Sequence, residues 1–186
     1  METNHNLNIN VILVDKNDTE IGVMPKLEAH QKGILHRAFS VFVFNSEGKV
    51  LMQQRAVDKY HSAGLWSNTC CSHPLPGETN NNAAGRRLMQ EMGIDCKLKT
   101  AFSFIYKAEL DNDLTEHEFD HVFFGNFDGV PKINTDEVQN YKYMSLTELE
   151  LDLTIHPENY TEWLKLCIEK VSTYFEFSNM ETNLKF

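Results

Sequence analysis

The chain has 186 residues, 41% of them hydrophobic, and 27 Asp and Glu against 17 Lys and Arg give a formal charge of −10. That acidity argues against nonspecific binding to nucleic acid or to an acidic membrane surface, so an anionic substrate would need a local basic cluster. No apolar run reaches the ~20 residues of a membrane span, Met1 to Asn10 lacks the build of a secretory leader, and the 4 Cys show no paired spacing. The expectation is one soluble domain over residues 1–186, with a core from about Leu7 to Lys170 and a tail over 171–186, in the reducing cytoplasm.

In chain order, Val11–Val14 and Ile21–Met24 read as a hairpin around the turn cluster Asp15–Asp18, and Pro25 ends the second arm. Lys26–Gln31 reads as a short helix carrying His30. Ala38–Phe44, the turn Asn45–Gly48 and Val50–Arg55 form a second hairpin, the firmest element of the reading. A polar loop with Lys59 leads into Trp66–Pro74. Thr79 is placed to cap a helix over Asn82–Met92, which Gly93 stops. Strands follow at Ala101–Leu110, His121–Phe127 and Tyr141–Met144. Ser145 and Glu148 have capping-box spacing for one helix, and Tyr160–Phe175 reads as the last. Strands and helices in this order give an α/β (α+β) fold, a mixed β-sheet sandwiched between helical layers.

Residues two apart on an extended chain face the same side. Cys71 and His73 therefore project together while Cys70 points away, and Glu116 and Glu118 share a face opposite His117. Taken alone, each pair is ordinary packing. Together, His30, His36, His73, Glu116 and Glu118 offer mixed nitrogen and oxygen ligation suited to Mn, Fe, Zn or, less well, Mg. Lys26, Arg55, Lys59, Arg86 and Arg87 flank the same segments, and in so acidic a chain they suggest a phosphate or diphosphate site. Tyr106 and Trp163 lie on a core strand and on the last helix.

Anchored on Gly93 and Ile94, residues Glu78, Arg86, Leu88 and Glu91 stand in register with the Nudix box, a helical row of carboxylates that gathers Mg2+ at a diphosphate. Ser72, Arg87 and Gln90 depart from it, so Glu91 alone remains of the carboxylate row. With Lys26–His30, Leu35–Ser40, Gln54–Ala56, Gly64–Pro74, Glu116–Glu118, Asp136–Val138 and Trp163, the chain closely resembles the type I isopentenyl-diphosphate isomerase family, a Nudix-like branch. The resemblance runs from about Leu7 to Lys170.

It implies a Nudix fold and an enzyme of isoprenoid biosynthesis that interconverts isopentenyl and dimethylallyl diphosphate through a tertiary carbocation. The implied roles are Cys71, Glu118, Tyr106 and Trp163 in catalysis, and Lys26, Arg55, Lys59 and Arg87 on the substrate diphosphate. His30, His36, His73, Glu116 and Glu118 would hold a divalent metal, Mn2+, Mg2+ or Zn2+, and Glu91 a Mg2+ bound with the substrate. The implied partner is a small diphosphate, with no nucleic acid or membrane, and the implied state a monomer or weak homodimer. The alternative is a Nudix hydrolase of a nucleoside diphosphate derivative, which the losses at Arg87 and Gln90 oppose. A noncatalytic ligand sensor is a third reading.

Overall fold

The computed structural model describes residues 9–183, with side chains through 178; Leu7 and Phe186 lie outside the described residues. Its strands are β1 (Asn10–Val14), β2 (Glu20–Pro25), β3 (His36–Phe44), β4 (Val50–Arg55), β5 (Trp66–Ser67), β6 (Cys70–Ser72), β7 (Lys99–Glu109), β8 (Thr115–Asn126) and β9 (Val138–Met144). Its helices are α1 (Lys26–Lys32), α2 (Asn80–Met92), α3 (Leu146–Ile155) and α4 (Glu162–Asn183). All nine strands join one mixed sheet.

β3 is the spine of that sheet. Along one edge it runs parallel to β8, from His36 opposite Glu118 to Phe44 opposite Asn126. Its other edge is shared by short partners: β1 at His36, β6 at Phe39–Val41 and β4 at Phe44. The expected β3–β4 hairpin forms, but it is short. The turn forms, with Asn45 N donating to Lys49 O at 2.9 Å, but Phe44 and Val50 are the sole registered pair. β4 spends its length on β9 instead. A strand buried on both faces and along both edges is mostly apolar, and Ala38–Phe44 reads that way apart from Ser40.

Period-two alternation divides the sheet between two layers. Phe39, Val41 and Val43 join Cys70 and Phe123 under α2, packing on Ala83, Ala84, Leu88 and Met92. Phe42 and Phe44 turn the other way with Val122, beneath α3 and α4, onto Leu149, Leu164, Cys167 and Val171. The caps fall as expected. Thr79 Oγ accepts from Asn82 N at 3.3 Å, and Ser145 and Glu148 close a capping box. Gly93 takes φ 63, where a Cβ would fall 2.7 Å from Lys132 O, so this helix stop requires glycine.

Several boundaries differ from expectation, the largest at β8, which begins at Thr115 and not at His121. β9 begins at Val138, and α4 runs on to Asn183 because no Gly or Pro interrupts Glu162–Asn183, so the expected tail is largely helix. Phe175 packs on Phe44 with ring centroids 4.2 Å apart, while Phe177 is exposed. Among the described residues no helix is long and apolar enough to cross a membrane.

Candidate active site

On the α4 side of the sheet, the residues change character along the strands. Phe42, Phe44, Val122 and Phe124 fill one end; His36, Ser40, Glu116, Glu118 and Asp120 occupy the other, on the same alternating positions. The polar end lines a small cavity of about 40 Å³. Lys26, Ser40, Arg55, His61, Cys71, Ser72, His73, Tyr106, Glu116, Glu118 and Trp163 form its walls. Cys71 and His73 share this face, and Cys70 lies in the core on the other, as alternation along β6 requires.

His30, His36, His73 and Glu118 are buried and each offers a ligand atom, all within 4.8 Å of one another. His36 Nε2 and His73 Nε2 are 3.2 Å apart, and Glu118 Oε1 is 2.9 Å from His73 Nε2 and 3.5 Å from His36 Nε2. Ligands about 2.1 Å from one tetrahedral ion would stand at such separations. His30 Nε2 is buried without a hydrogen-bond partner among the described residues. A buried donor set of three imidazoles and a carboxylate, with His30 Nε2 and His73 Nδ1 both without a partner among the described residues, fits a divalent cation. Glu116 is not one of these four. It stands beside them, its Oε2 3.0 Å from the Tyr106 hydroxyl, which also lies 2.6 Å from Glu118 Oε2.

Charges here follow from burial and neighbours. Burial, reinforced by Lys26 and the other imidazoles, lowers His30 to about 2 and His73 to about 3, so both are neutral. Burial would raise Glu118, but hydrogen bonds from His36 and His73 outweigh it and hold the carboxyl below its usual range. Burial and the adjacent Glu118 push Glu116 up, and burial pushes Tyr106 up. Burial also pushes Cys71 up to about 12, making it a neutral thiol.

The basic residues divide into two sets. Lys26 and Arg55 line the cavity. Arg55 donates through Nε to Ser62 O at 3.2 Å and through Nη2 to His61 O at 3.3 Å, and its guanidinium lies 5.1 Å from the Trp163 ring centroid. Trp163 is pinned by Nε1 donating to Ser67 Oγ at 2.9 Å and Asn68 Oδ1 at 3.1 Å.

Lys59 and Arg87, expected at the diphosphate, pair with carboxylates in a network beside it. Arg87 Nη2 lies 2.6 Å from Glu91 Oε1 and 3.2 Å from Glu137 Oε1. Lys59 pairs with the other oxygen of Glu137, and Gln53 Nε2 donates to Glu91 Oε2 at 3.0 Å. Arg86 clasps both oxygens of Glu78, a structural tie between the preceding loop and α2.

Sequence reasoning missed Tyr60, His61, Ser40 and Asp120. Asp120 is the next residue on the Glu116–Glu118 face; it is buried, and burial and Glu118 push it up to about 8 against the opposing hydrogen bond of Ser40. Continuing the alternation by one step would have found it. Tyr60 and His61 lie in an aperiodic loop that gives no such signal.

The family model described as NUDIX domain matches residues 34–165. The isopentenyl-diphosphate Delta-isomerase 2 of Aromatoleum aromaticum is 55% identical over 161 residues, 87% of this chain and 85% of that protein. The isopentenyl-diphosphate Delta-isomerase of Pectobacterium atrosepticum is 52% identical over 166 residues, 89% of this chain and 93% of that one. Among solved structures, DR0079 from Deinococcus radiodurans superposes with a TM-score of 0.73 at 16% identity, covering 87% of this chain and 98% of that one. The MutT protein from Methanosarcina mazei Go1 gives 0.62 at 18% identity, covering 78% and 95%. These two likenesses concern the fold.

Proposed function

This chain belongs to the NUDIX domain family and, within it, to the isopentenyl-diphosphate Delta-isomerases, and we propose that it interconverts isopentenyl and dimethylallyl diphosphate. One observation carries the reading. Cys71 and the Tyr106–Glu116–Glu118 group open on the same cavity from strands on opposite sides of β3.

An unactivated alkene is a poor base, so moving its double bond calls for an acid, a base and a shielded cation. A proton is added to the terminal carbon, a tertiary cation develops at C3, and a proton leaves C2. Cys71, a neutral thiol, can give a proton on one side and, once it is the thiolate, take one back. On the other, the Tyr106 hydroxyl bridges Glu116 and Glu118, so a proton can pass between the carboxyls without entering water. Trp163 presents an indole already held against the Arg55 cation, and an aromatic face stabilises a desolvated cation by about 2 kcal/mol.

His30, His36, His73 and Glu118, joined by Glu116, would hold Mn2+, Zn2+ or Mg2+, which would supply Lewis acidity that sharpens the acid at this wall. Glu91 would hold a Mg2+ that travels with the diphosphate and neutralises part of its charge. Lys26 and Arg55 meet the diphosphate directly, and Lys59 and Arg87 reach it from the adjoining network; restraining that group also suppresses its loss as an allylic leaving group. The free thiols support a reducing compartment, the cytoplasm. The proposed acting form is a monomer or weak homodimer.

The test is to incubate metal-loaded protein with isopentenyl diphosphate in D2O and follow the products by NMR. Deuterated dimethylallyl diphosphate is the expected result. Release of phosphate or monophosphate would favour a hydrolase, and no reaction with both Mg2+ and Mn2+ present would overturn the assignment.

A further inference from the structure

A metal-bound imidazole is oriented through the nitrogen it turns away from the ion, and that second contact sets which nitrogen carries the proton. Two of the three histidines here have one. His36 Nδ1 donates to Ile34 O at 2.8 Å, within its own chain segment. His30 Nδ1 lies 3.3 Å from the hydroxyl of Tyr60, leaving Nε2, buried and without a partner, as the atom it offers to the cluster. Tyr60 comes from none of the elements that supply the four ligands. It belongs to the loop between β4 and β5.

That loop is held firmly enough to present a hydroxyl. Asn112 Nδ2, at the β7–β8 turn, donates to Tyr60 O at 3.1 Å. On either side, Lys59 pairs with Glu137, and the carbonyls of His61 and Ser62 accept from Arg55. The Tyr60 ring stands edge-on to His61 with centroids 4.3 Å apart, and His61 is itself edge-on to Trp163 at 6.0 Å. Burial pushes the Tyr60 hydroxyl up, so it stays a phenol, able to accept a hydrogen bond from the N–H of a neutral imidazole or to donate one.

We propose that Tyr60 is a positioning residue of the metal centre. Its oxygen accepts a hydrogen bond from His30 Nδ1–H, which fixes Nε2 as the free lone pair and aims it at the other ligands. The proposal rests on the metal-ligand reading of His30, His36, His73 and Glu118, and its test separates the two.

The full chain is stripped of metal, and its affinity for Zn2+ is measured by competition with a chromophoric chelator, for the unmodified protein, Tyr60→Phe and His30→Ala. In parallel, 15N-histidine NMR of the metal-free protein reports the His30 tautomer, and the ligand-field spectrum of the Co2+-loaded protein reports the geometry at the ion. Tyr60→Phe keeps the ring and its packing, so a merely structural role would leave all three readouts unchanged. Loss of one such partner lowers metal affinity about 10–100-fold. The expected result for Tyr60→Phe is a loss in that range with one ion still bound, a mixture of His30 tautomers and an altered Co2+ spectrum. Affinity and tautomer equal to the unmodified protein, with His30→Ala still weakened, would overturn the role of Tyr60 and leave the metal centre standing. A protein whose affinity is insensitive to His30→Ala would overturn the metal-centre reading, and this proposal with it.

Discussion

Two charged corners adjoin the cavity and are built on opposite plans. In one, His30, His36, His73 and Glu118 crowd together with two imidazole nitrogens lacking any hydrogen-bond partner among the described residues. In the other, Arg87 lies between Glu91 and Glu137, and Lys59 and Gln53 take up further carboxylate oxygens. The first is a donor set able to hold a divalent cation. The second holds a side-chain cation before any substrate arrives: Arg87 stands in a carboxylate position of the Nudix box, and its guanidinium lies against Glu91 and Glu137. A related scaffold can thus meet its charge requirement with an imported ion at one corner and with its own side chain at another.

The largest blow to this contrast comes from removing the charge of the open corner. Glu118→Gln should lower kcat about a thousandfold while leaving the fold intact, because it removes both a ligand and an acid–base group; Cys71→Ala should do the same from the opposite wall. Near-normal turnover in either variant, with circular dichroism unchanged, would take that residue out of the reaction.

At the closed corner the expected damage is to stability. Arg87→Met leaves Glu91 and Glu137 partly buried without their shared cation and should cost about 3–5 kcal/mol in urea unfolding. A loss under ~1 kcal/mol would mean that the network is loosely coupled.

The subtlest test uses pH. His30 and His73 ionise far below 6.5 when folded, so the metal-free native state binds fewer protons than the unfolded chain. Stability is then level above 6.5 and falls as pH drops below it, by up to about 1.4 kcal/mol per unit for each histidine. Urea unfolding at pH 7.5 and 5.5 should show the decline, and His30→Ala with His73→Ala should flatten it. Equal stability at both pH values in the unmodified protein would contradict the buried, neutral histidines.

What could be read from the sequence was what is local. Alternation put Cys71 with His73 and Glu116 with Glu118 because that period survives whatever the strand pairs with. The caps at Thr79 and Ser145 were equally legible. Which strands meet was not. His36 lies opposite Glu118 through a parallel pairing that no turn announces, and β3 leaves β4 after one pair because β6 and β1 occupy that edge. Lys59 and Arg87 seemed free for substrate because Glu137, within the recognised Asp136–Val138 segment, had no assigned role until the fold brought it across. Tyr60 stayed hidden in a loop with neither period nor motif.

The placing of Cys70 and Cys71 on opposite faces of β6 also bears on oxidation. Neighbours on a strand cannot bring their sulfurs to the ~2 Å of a disulfide without destroying the strand, so the cavity thiol has no resolving partner next to it in sequence. At a pKa of about 12 almost none of it is thiolate, the form that peroxide attacks. The chain thus keeps a cavity-lining thiol in a state that resists pairing with its sequence neighbour and disfavours direct oxidation, with its proton still in place.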